Sequence, residues 1–289
     1  MKRTRRILTV IFVVAFTFSL AASFATAATL ENERVSALFI NVEKADAALI
    51  FLGEKRFLVD TGSKGSFDAL ERALEIYEVT SLDGVIITHT DKDHVGGLKK
   101  LLKSDIQVQM LYAGSINSES DADEHPVFEA SEKYDVPLTW LSAGDEVRAQ
   151  DDMVFMVLGP ISKDAENENN NSLVMDLQTP QGNILLTGDM ELEEEQELLD
   201  AGLIPQATVL KVAHHGEDDS SSDTFVYTVN PQWAVISTST AEEPDTPDPK
   251  VMTRLWNIQA GVAVTQNAQI GVLVQLTNGV ATASNIDLQ

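Results

Sequence analysis

Short apolar runs alternate along the chain with stretches in which apolar residues recur at helical spacing. Residues 35–41, 46–52 and 56–59 are apolar and rich in β-branched side chains, which is typical of strands. The last run leads into DTG at residues 60–62, a turn signal. Over residues 66–79 the apolar period changes from about 2 to about 3.6, which predicts a helix. Strand, turn and helix in this order indicate an α/β fold.

The same alternation continues less regularly through the rest of the chain. A predicted strand at 83–88 precedes a glycine pair and a predicted helix at 95–103. Two polar tracts, 115–124 and 162–171, are predicted to be surface loops. No fixed-period repeat and no linker rich in Pro, Gly or Ser divides the chain, so a single domain is expected. Further strands are predicted at 107–112, 138–141, 153–158, 172–177, 183–187, 208–213, 233–237 and 271–276, and further helices at 191–200 and 250–259.

The N-terminus has the layout of a secretory signal peptide. Four basic residues among the first six precede an apolar run at 7–24, which ends in the small-x-small sequence ATA at 25–27. We therefore expect a signal peptide at residues 1–27, a mature domain at 28–289, and a secreted or extracytoplasmic protein. An uncleaved membrane anchor is the alternative, and contact with a membrane is expected in that case alone. The chain has no cysteine, which excludes disulfides and a lipid-anchored cysteine.

The charge of the chain limits the partners it can bind. With 20 Lys and Arg against 45 Asp and Glu, the formal net charge is −25. Without residues 1–27, which hold four basic and no acidic residues, the net charge is −29. Such a surface repels phosphate backbones, so long nucleic acid is expected to bind weakly if at all. Solubility in a salty exterior is an alternative explanation of the acidity.

Two short segments hold four of the five histidines of the chain. Residues 89–94 (HTDKDH) follow the strand predicted at 83–88, and residues 214–216 (HHG) follow the strand predicted at 208–213. Asp189 ends a third predicted strand. Because α/β folds place their ligand-binding loops at the carboxyl ends of strands, these residues are candidates for one site. Charged groups this dense lie either in water or around a cation.

Histidine and aspartate together are the ligands expected for divalent metals. We expect one or two ions, with Zn²⁺ favoured by imidazole and Mn²⁺ as the alternative favoured by carboxylate. Such an ion lowers the pKa of a bound water to about 7 and makes hydroxide available at neutral pH. Two ions about 3.5–4 Å apart also stabilise the attacking and leaving oxygens. The chemistry expected of this site is therefore hydrolysis.

These segments carry a family resemblance. The chain resembles metallo-β-lactamase-fold hydrolases, most closely the branch that includes the extracellular domain of ComEC-type competence channels. The resemblance covers residues 35–276 and implies an α/β fold in the form of a four-layer αββα sandwich, with the site at one edge between the sheets. It rests on five motifs in the same order: DTG at 60–62, HxDxDH at 89–94, NNNS at 169–172, GD at 188–189 and HHG at 214–216.

The resemblance also implies roles for single residues. Asp189 would bridge two ions, one held by His89 and Asp91 and the other by Asp93, His94 and His215. Asp93 and His214 are the candidate catalytic residues. His214 either faces the substrate or supports His215, and spacing alone leaves the choice of ligand between these neighbours open. Asp60 and Asn171 are expected to support the ligands through hydrogen bonds.

The chain departs from this branch at three places. NVEKAD at 41–46 stands where the branch has DVGQGD, and TPD at 246–248 stands where it has HPH. Both changes concern the substrate pocket rather than the metal. The asparagine run at 169–171 stands near the place where most dinuclear members have a histidine, so a mononuclear or unequal dinuclear site is the alternative to an equal pair.

The sequence thus predicts an exported metal-dependent hydrolase that acts on a small-molecule ester. Small phosphodiesters or nucleotides are the preferred substrates. Carboxylic ester, lactone or β-lactam hydrolysis is the enzymatic alternative. A non-enzymatic exported metal-binding or adhesive module is the alternative of another class. Outside the site, His125 is expected to be exposed in an acidic loop. Four glutamates are expected on the solvated face of a helix, namely Glu193, Glu194, Glu195 and Glu197.

Overall fold

The computed structural model describes residues 35–117 and 125–288. The predicted signal peptide and most of the tract predicted as a loop at 115–124 lie outside the described residues. Within the described ranges, no helix is both long enough and apolar enough to cross a membrane.

Seventeen strands and seven α-helices make up the described fold. In chain order the strands are β1 (Val35–Ile40), β2 (Ala48–Leu52), β3 (Lys55–Val59), β4 (Ser81–Leu82), β5 (Gly84–Ile87), β6 (Gln107–Val108), β7 (Leu111–Gly114), β8 (Leu138–Leu141), β9 (Glu146–Gln150), β10 (Met153–Gly159), β11 (Val174–Thr179), β12 (Gly182–Leu186), β13 (Val209–Lys211), β14 (Trp233–Ile236), β15 (Gly261–Val264), β16 (Gly271–Thr277) and β17 (Val280–Ile286). The helices are α1 (Phe67–Ile76), α2 (Lys92–Val95), α3 (Leu98–Leu101), α4 (Pro126–Tyr134), α5 (Leu192–Asp200), α6 (Asp223–Val229) and α7 (Pro249–Asn257). Short 3₁₀ turns lie at Asn169–Asn171, His214–Gly216 and Thr265–Asn267.

The strands form two large mixed sheets and one small one. The first has eight strands in the order β17-β16-β1-β2-β3-β5-β7-β8, antiparallel from β17 to β3 and parallel from β3 to β8. The second has seven in the order β15-β14-β13-β12-β11-β10-β9, parallel from β15 to β12 and antiparallel from β12 to β9. Strands β4 and β6 form a short parallel pair. The two parallel segments place the carboxyl ends of β5 and β13 where loops build a site.

Apolar side chains fill three layers of core. Phe39 and Phe155 lie in the layer between the two large sheets. The outer face of the first sheet packs on α1, α3 and α4 through residues such as Leu74. The outer face of the second sheet packs on α5, α6 and α7 through residues such as Phe225 and Leu255. The predicted four-layer αββα single domain is therefore confirmed.

The central strands are buried on both faces, which explains why they are apolar without alternation. All six residues of β1 are buried. Ala37 and Phe39 contact the layer between the sheets, and Leu38 and Ile40 contact the helices outside. Because both faces are apolar, sequence pattern alone is sufficient to predict these strands.

The helix predicted at 95–103 is interrupted in the structure. It is replaced by α2 and α3, with Gly96 and Gly97 between them. A side chain at Gly97 would place its Cβ 2.2 Å from the backbone oxygen of Thr61, and the Gly97 N–H donates to Gly62 O at 3.0 Å. The glycine is needed because the turn at 60–62 packs directly against this backbone.

Several elements have no counterpart in the sequence prediction. They are helices α4 and α6 and strands β4, β9, β15 and β17. Strand β17 is largely exposed, and its polar residues hide the apolar alternation on which the prediction depended. Helix α4 buries only a few of its nine residues, so its apolar period is weak.

The expectation that His125 is exposed is wrong, since only 2% of its surface is accessible. Its Nδ1 accepts the backbone N–H of Val127 at 3.2 Å and so caps α4. Its ring packs edge-on against Trp140, with the centroids 4.8 Å apart. Burial lowers the pKa of His125 to about 4 despite the nearby Glu168, so the ring is neutral at pH 7.

The expectation of a solvated glutamate face on α5 is wrong for two of the four residues. Glu194 and Glu195 are buried, whereas Glu193 and Glu197 are exposed. Glu195 accepts the backbone N–H of Ser222 at 3.2 Å, which explains its burial as a contact between α5 and the start of α6. No hydrogen-bond partner for the Glu194 carboxyl is found among the described residues.

Candidate metal centre

The turn at Asp60 orients the first histidine of the site. Asp60 has a positive φ of 60°, and its carboxylate accepts the backbone N–H and the hydroxyl of Thr88, each at 2.8 Å. Oδ2 of Asp60 also lies 2.9 Å from Nδ1 of His94. Because Nδ1 is engaged with a carboxylate, the ring of His94 points Nε2 away from Asp60, as metal-binding histidines are commonly held.

The second histidine of the site is oriented by a backbone carbonyl. His215 is fully buried, and its Nδ1 donates to the backbone oxygen of Ser237 at 2.9 Å. His214 and His215 both have positive φ, 44° and 53°. Successive left-handed residues turn the two adjacent rings toward different partners, so His215 enters the site while His214 does not.

Four side chains converge at the edge between the two sheets. Ligand atoms of Asp93, His94, Asp189 and His215 all lie within 4.8 Å of one another. Oδ2 of Asp189 lies 3.0 Å from Nε2 of His94 and 3.2 Å from Nε2 of His215. Nε2 of His215 lies 3.3 Å from Oδ2 of Asp93. We call these four residues the central cluster.

Electrostatics in the central cluster favour charged groups in spite of burial. Burial lowers the pKa of His94, but Asp189 and Asp60 outweigh it and raise this pKa well above its usual value. The same competition, with Asp189 dominant, raises the pKa of His215 to about 9. Burial raises the pKa values of Asp93 and Asp189, but the two imidazoles outweigh it and hold both pKa values low. The carboxylates therefore require a neighbouring positive charge.

The donor set fits a divalent cation. Nε2 of His94, Nε2 of His215 and Oδ1 of Asp189 are buried without a hydrogen-bond partner among the described residues. Nε2 of His89 is likewise buried without a hydrogen-bond partner among the described residues. Buried polar atoms without partners are rare, and imidazole nitrogens converging on carboxylates are the ligands that Zn²⁺ prefers.

His89 and Asp91 occupy different environments. His89 is 4% exposed, its ring centroid lies 4.1 Å from that of His94, and its Nδ1 lies 3.1 Å from the Thr88 hydroxyl. Asp91 is exposed and precedes α2, where its backbone oxygen accepts the N–H of His94 at 3.0 Å. The structure therefore brings His89 beside the central cluster and leaves Asp91 outside it.

The asparagine run at 169–171 stabilises a loop next to the metal centre. Asn171 is buried, and its side chain ties together the loop that precedes it through Asp164, Asn167 and Glu168. The next residue, Ser172, accepts the backbone N–H of Asp189 at 3.0 Å through its hydroxyl. Asn171 thus fixes the loop at 164–171, and the adjacent Ser172 connects this loop to Asp189; Asn171 supplies no ligand in the central cluster.

His214 lies beside the central cluster in a second acidic group with Glu191 and Asp219. Its Nδ1 lies 2.9 Å from Asp219 and its Nε2 lies 3.8 Å from Glu217. Burial lowers the pKa of His214, but Asp219, Asp189 and Glu217 raise it above its usual value. His214 therefore favours the protonated form.

A buried ion pair beneath the central cluster was not predicted from the sequence. Nζ of Lys211 lies 2.5 Å from Oδ2 of Asp46, and both side chains are at least nine-tenths buried. Asp46 also lies 3.9 Å from Nδ1 of His94. Two residues in the sequence could have suggested this ion pair. They are Asp46, at the end of the 41–46 motif, and Lys211, at the end of the strand before HHG. Pattern alone does not reveal that the two meet.

Comparison with known proteins identifies the family. The sequence profile of the Metallo-beta-lactamase superfamily matches residues 40–239. The chain belongs to this superfamily. The fold predicted from the five motifs is thereby confirmed; the metallo-β-lactamase fold binds divalent metals, and the central cluster is a candidate group of ligands.

Curated relatives place the chain near competence proteins. It is 33% identical over 177 residues to ComE operon protein 3 of Bacillus subtilis, a match covering 61% of this chain and 22% of the relative. It is 30% identical over 227 residues to Recombination protein 2 of Haemophilus influenzae, covering 77% of this chain and 26% of the relative. With Competence protein ComA of Neisseria gonorrhoeae it shares 26% identity, covering 81% of this chain and 31% of the relative. The chain thus spans less than a third of each relative, and the resemblance to the ComEC-type branch is confirmed.

Solved structures agree on the fold. The metallo-β-lactamase fold protein YhfI of Bacillus subtilis superposes with a TM-score of 0.57 at 12% identity, covering 84% of this chain and 99% of that one. CmlA, a diiron β-hydroxylase of Streptomyces venezuelae, gives a TM-score of 0.57 at 9% identity, covering 85% of this chain and 54% of that one. At these identities the likeness shows the metallo-β-lactamase fold alone.

Proposed function

We propose that this metallo-β-lactamase-fold chain is a metal-dependent hydrolase whose principal ion is held by the central cluster. The observation that carries the proposal is the convergence of two buried imidazole Nε2 atoms on the carboxylates of Asp93 and Asp189, at distances of 3.0–3.3 Å but without a well-aligned hydrogen bond. Zn²⁺ suits this donor set first, and Mn²⁺ is the alternative. A divalent ion bound there supplies Lewis acidity and lowers the pKa of a water to about 7.

The residues of the chain have separate tasks in this proposal. Asp60 and the Ser237 carbonyl hold the rings of His94 and His215 with their Nε2 atoms available. Asp93, partly exposed, orients the attacking water. His214, held at Nδ1 by Asp219, faces the substrate with its Nε2.

A second ion position is expected to be weaker. His89 contributes an Nε2 atom without a hydrogen-bond partner, its ring lies next to that of His94, and the charge of Asp189, whose Oδ1 also has no hydrogen-bond partner, acts on His89. Asp91, the other ligand implied by the resemblance, is exposed. We therefore propose an unequal pair in which the His89 position loses its ion first on mild chelation.

Small phosphodiesters and nucleotides are the substrates we propose. Two observations support this choice: the relatives are named as competence and recombination proteins, and carboxylates share the ligation with imidazole. Hard, oxygen-rich sites suit phosphate chemistry. The position that corresponds to Asp91 is a histidine in the lactamases that give the fold its name, which weighs against β-lactam hydrolysis.

The decisive experiment combines metal analysis with a substrate panel. We expect kcat/KM with Zn²⁺ or Mn²⁺ to be highest on a bis-aryl phosphate and lower on a lactone and a β-lactam. Asp93→Ala and Asp189→Ala should each abolish turnover and reduce the metal content, whereas Asp151→Ala, in an exposed turn, should change neither.

Two outcomes would refute parts of this proposal. Full activity and unchanged metal in Asp189→Ala would overturn the ligand assignment. A lactone or β-lactam preferred by tenfold or more, equivalent to about 1.4 kcal/mol of transition-state free energy, would reject phosphodiesters as the substrate. Metal binding without turnover of any ester would favour a non-enzymatic metal-binding module.

A further inference from the structure

Lys44 lies at the edge of the metal centre, in the segment where this chain departs from its branch. The backbone N–H of Lys44 donates to Glu242 at 2.9 Å, and the N–H of Asp46 donates to the backbone oxygen of Asp93 at 3.1 Å. The segment that carries Lys44 is therefore fixed against the metal loop. Its ammonium interacts with the charges of both Asp93 and Asp189.

A single carboxylate oxygen lies between Lys44 and His214. Oε1 of Glu217 is 3.0 Å from Nζ of Lys44 and 3.8 Å from Nε2 of His214. The side chains are 22% exposed for Lys44, 30% for Glu217 and 13% for His214, so the arrangement is open to solvent yet partly shielded. One anionic oxygen thus lies between the ammonium of Lys44 and the imidazole of His214 beside the central cluster.

We propose that Lys44 and His214 form the recognition site for an anionic phosphoryl oxygen of the substrate, and that Glu217 occupies this site until the substrate displaces it. The inference rests on the proposed phosphodiesterase function and names the group that selects its substrate. A phosphodiester keeps one negative charge on its non-bridging oxygens, whereas a neutral ester or a lactone has none.

The surrounding charge makes this arrangement specific. In a chain of net charge −25, the potential near the site repels anions unless fixed cations oppose it. The ammonium of Lys44, 3.0 Å from Oε1 of Glu217, supplies that opposition, since charge-assisted hydrogen bonds are the strong ones, and Nε2 of His214 lies 3.8 Å from the same oxygen. Glu217 prevents Lys44 and His214 from attracting unrelated anions, because any ligand must first replace a carboxylate of this chain.

The experiment measures the binding of inorganic phosphate to the Zn²⁺-loaded protein by calorimetry, with acetate as a second probe. Lys44→Gln should raise the Kd for phosphate by about tenfold or more, while Lys44→Arg should stay within about threefold of the wild type. Glu217→Gln should lower the Kd for phosphate, because the internal competitor loses its charge. KM for a bis-aryl phosphate should change in the same directions, and KM for a neutral carboxylic ester should not.

Matched controls remove the same charges elsewhere. Lys103→Gln removes an exposed lysine beyond α3, and Glu54→Gln removes an exposed glutamate in the turn between β2 and β3. Neither should change the Kd for phosphate by more than about twofold, since exposed charges at this distance are screened by salt.

Each result bears on one claim. Equal phosphate affinity in Lys44→Gln and Lys103→Gln would overturn the assignment of Lys44, and unchanged or weaker binding in Glu217→Gln would overturn the role of Glu217. Acetate affinity that depends on Lys44 as strongly as phosphate affinity does would overturn the preference for phosphoryl groups. If no variant hydrolyses phosphodiesters but phosphate affinities follow the expected order, the proposed function fails and the recognition site stands.

Discussion

At the residue scale, His94 and His215 must lose protons before they can bind a metal ion. In the metal-free protein, burial lowers the pKa of His215, but Asp189 and Asp93 raise it to about 9. The pKa of His94 is likewise raised, with Asp189 and Asp60 overcoming burial. Below pH 9, the imidazole of His215 is therefore protonated and must lose a proton before it can bind the ion.

Metal uptake should accordingly release protons at pH 7, and metal affinity should rise with pH between about pH 6 and 8. The direction follows because only the neutral imidazole binds the ion. Calorimetric titration with Zn²⁺ in two buffers of different ionisation enthalpy counts the protons released. Release of none at pH 7, or an affinity independent of pH between 6 and 8, would contradict the protonated state of these histidines.

The buried pair of Lys211 and Asp46 makes a separate prediction about stability. Lys211→Met removes the cation and leaves Asp46 buried beside Asp60 and His94. Removing one partner of a buried pair costs about 3–5 kcal/mol, so the free energy of unfolding should fall by this amount. Urea unfolding of the metal-free protein measures it.

The double variant Asp46→Asn with Lys211→Met is the matched control. It removes both charges and should recover part of the loss, because no unpaired charge remains in the interior. A single variant as stable as the wild type, or a double variant that loses the sum of both single effects, would contradict a direct pairing.

At the residue scale, the sequence predicts which residue types form the site but not the backbone angles that select among neighbouring residues. The motifs predicted which residue types would meet, but Asp91 and Asp93 are two positions apart and only Asp93 enters the central cluster. Asp91 precedes α2 with an extended ψ of 149°, and it is exposed although its charge acts on His89. His214 and His215 are separated in the same way by their positive φ angles. Such backbone angles depend on tertiary packing and are not visible in residue spacing.

At the scale of elements, α5 shows how tertiary packing overrides a surface pattern. Its run of glutamates suits a solvated helix start, yet the helix packs its first turns against β10. An added Cβ at Gly159 would meet Oε1 of Glu194 at 2.8 Å, which shows how closely this carboxyl approaches the sheet. Burial and the charge of Glu197 raise the pKa of Glu194 well above its usual 4.5.

Glu194→Gln should therefore stabilise the protein at alkaline pH. Because the folded pKa exceeds the unfolded one, the folded state holds the proton more tightly, and stability falls as pH rises above 4.5 toward the folded pKa. Replacement by the neutral amide removes this loss. We expect a gain of about 1–3 kcal/mol at pH 8, shrinking toward pH 5.

Urea unfolding at pH 5 and at pH 8 tests this difference. Glu193→Gln on the exposed side of α5 is the control and should show no comparable pH dependence. A Glu194→Gln protein with the same pH dependence as the wild type would mean that the buried carboxyl is compensated by a group not identified among the described residues.

The reliability of the predicted elements follows their burial. Strands such as β1 and β5 are buried on both faces and were predicted from composition alone. Helix α6 spans only seven residues and so provides few helical periods, and three of the four residues of β15 are only partly buried. The break between α2 and α3 depends on contact with Thr61, which is distant in sequence.

At the scale of the whole molecule, the N-terminal segment predicts where the protein acts. If residues 1–27 form a cleaved signal peptide, protein recovered from outside the cytoplasm should begin near Ala28. N-terminal sequencing of the exported protein tests this. Recovery of Met1 in a membrane fraction would support the alternative of an anchored protein.

The negative net charge of the molecule opposes the binding of the anionic substrate that we propose. The phosphoryl site needs fixed cations, whereas the full chain has a formal net charge of −25. A nucleic-acid-binding protein gains affinity by neutralising many phosphates with Lys and Arg, and each contact adds to the salt dependence of binding. Here one recognition site would face one phosphoryl group, while the phosphates flanking it in a polymer would meet an acidic surface.

We therefore expect kcat/KM per phosphodiester bond to fall with substrate length, from a dinucleotide through a 30-residue single strand to long duplex DNA. Added Mg²⁺ should raise activity on long DNA, because it screens the repulsion, and should change dinucleotide cleavage little. The measurement is initial rate against substrate length at fixed Zn²⁺, with and without Mg²⁺, and with NaCl at matched ionic strength as the control. Equal or higher efficiency on long DNA without added Mg²⁺ would mean that a local surface overcomes the net charge, and that the natural substrate is a polymer rather than a small phosphodiester.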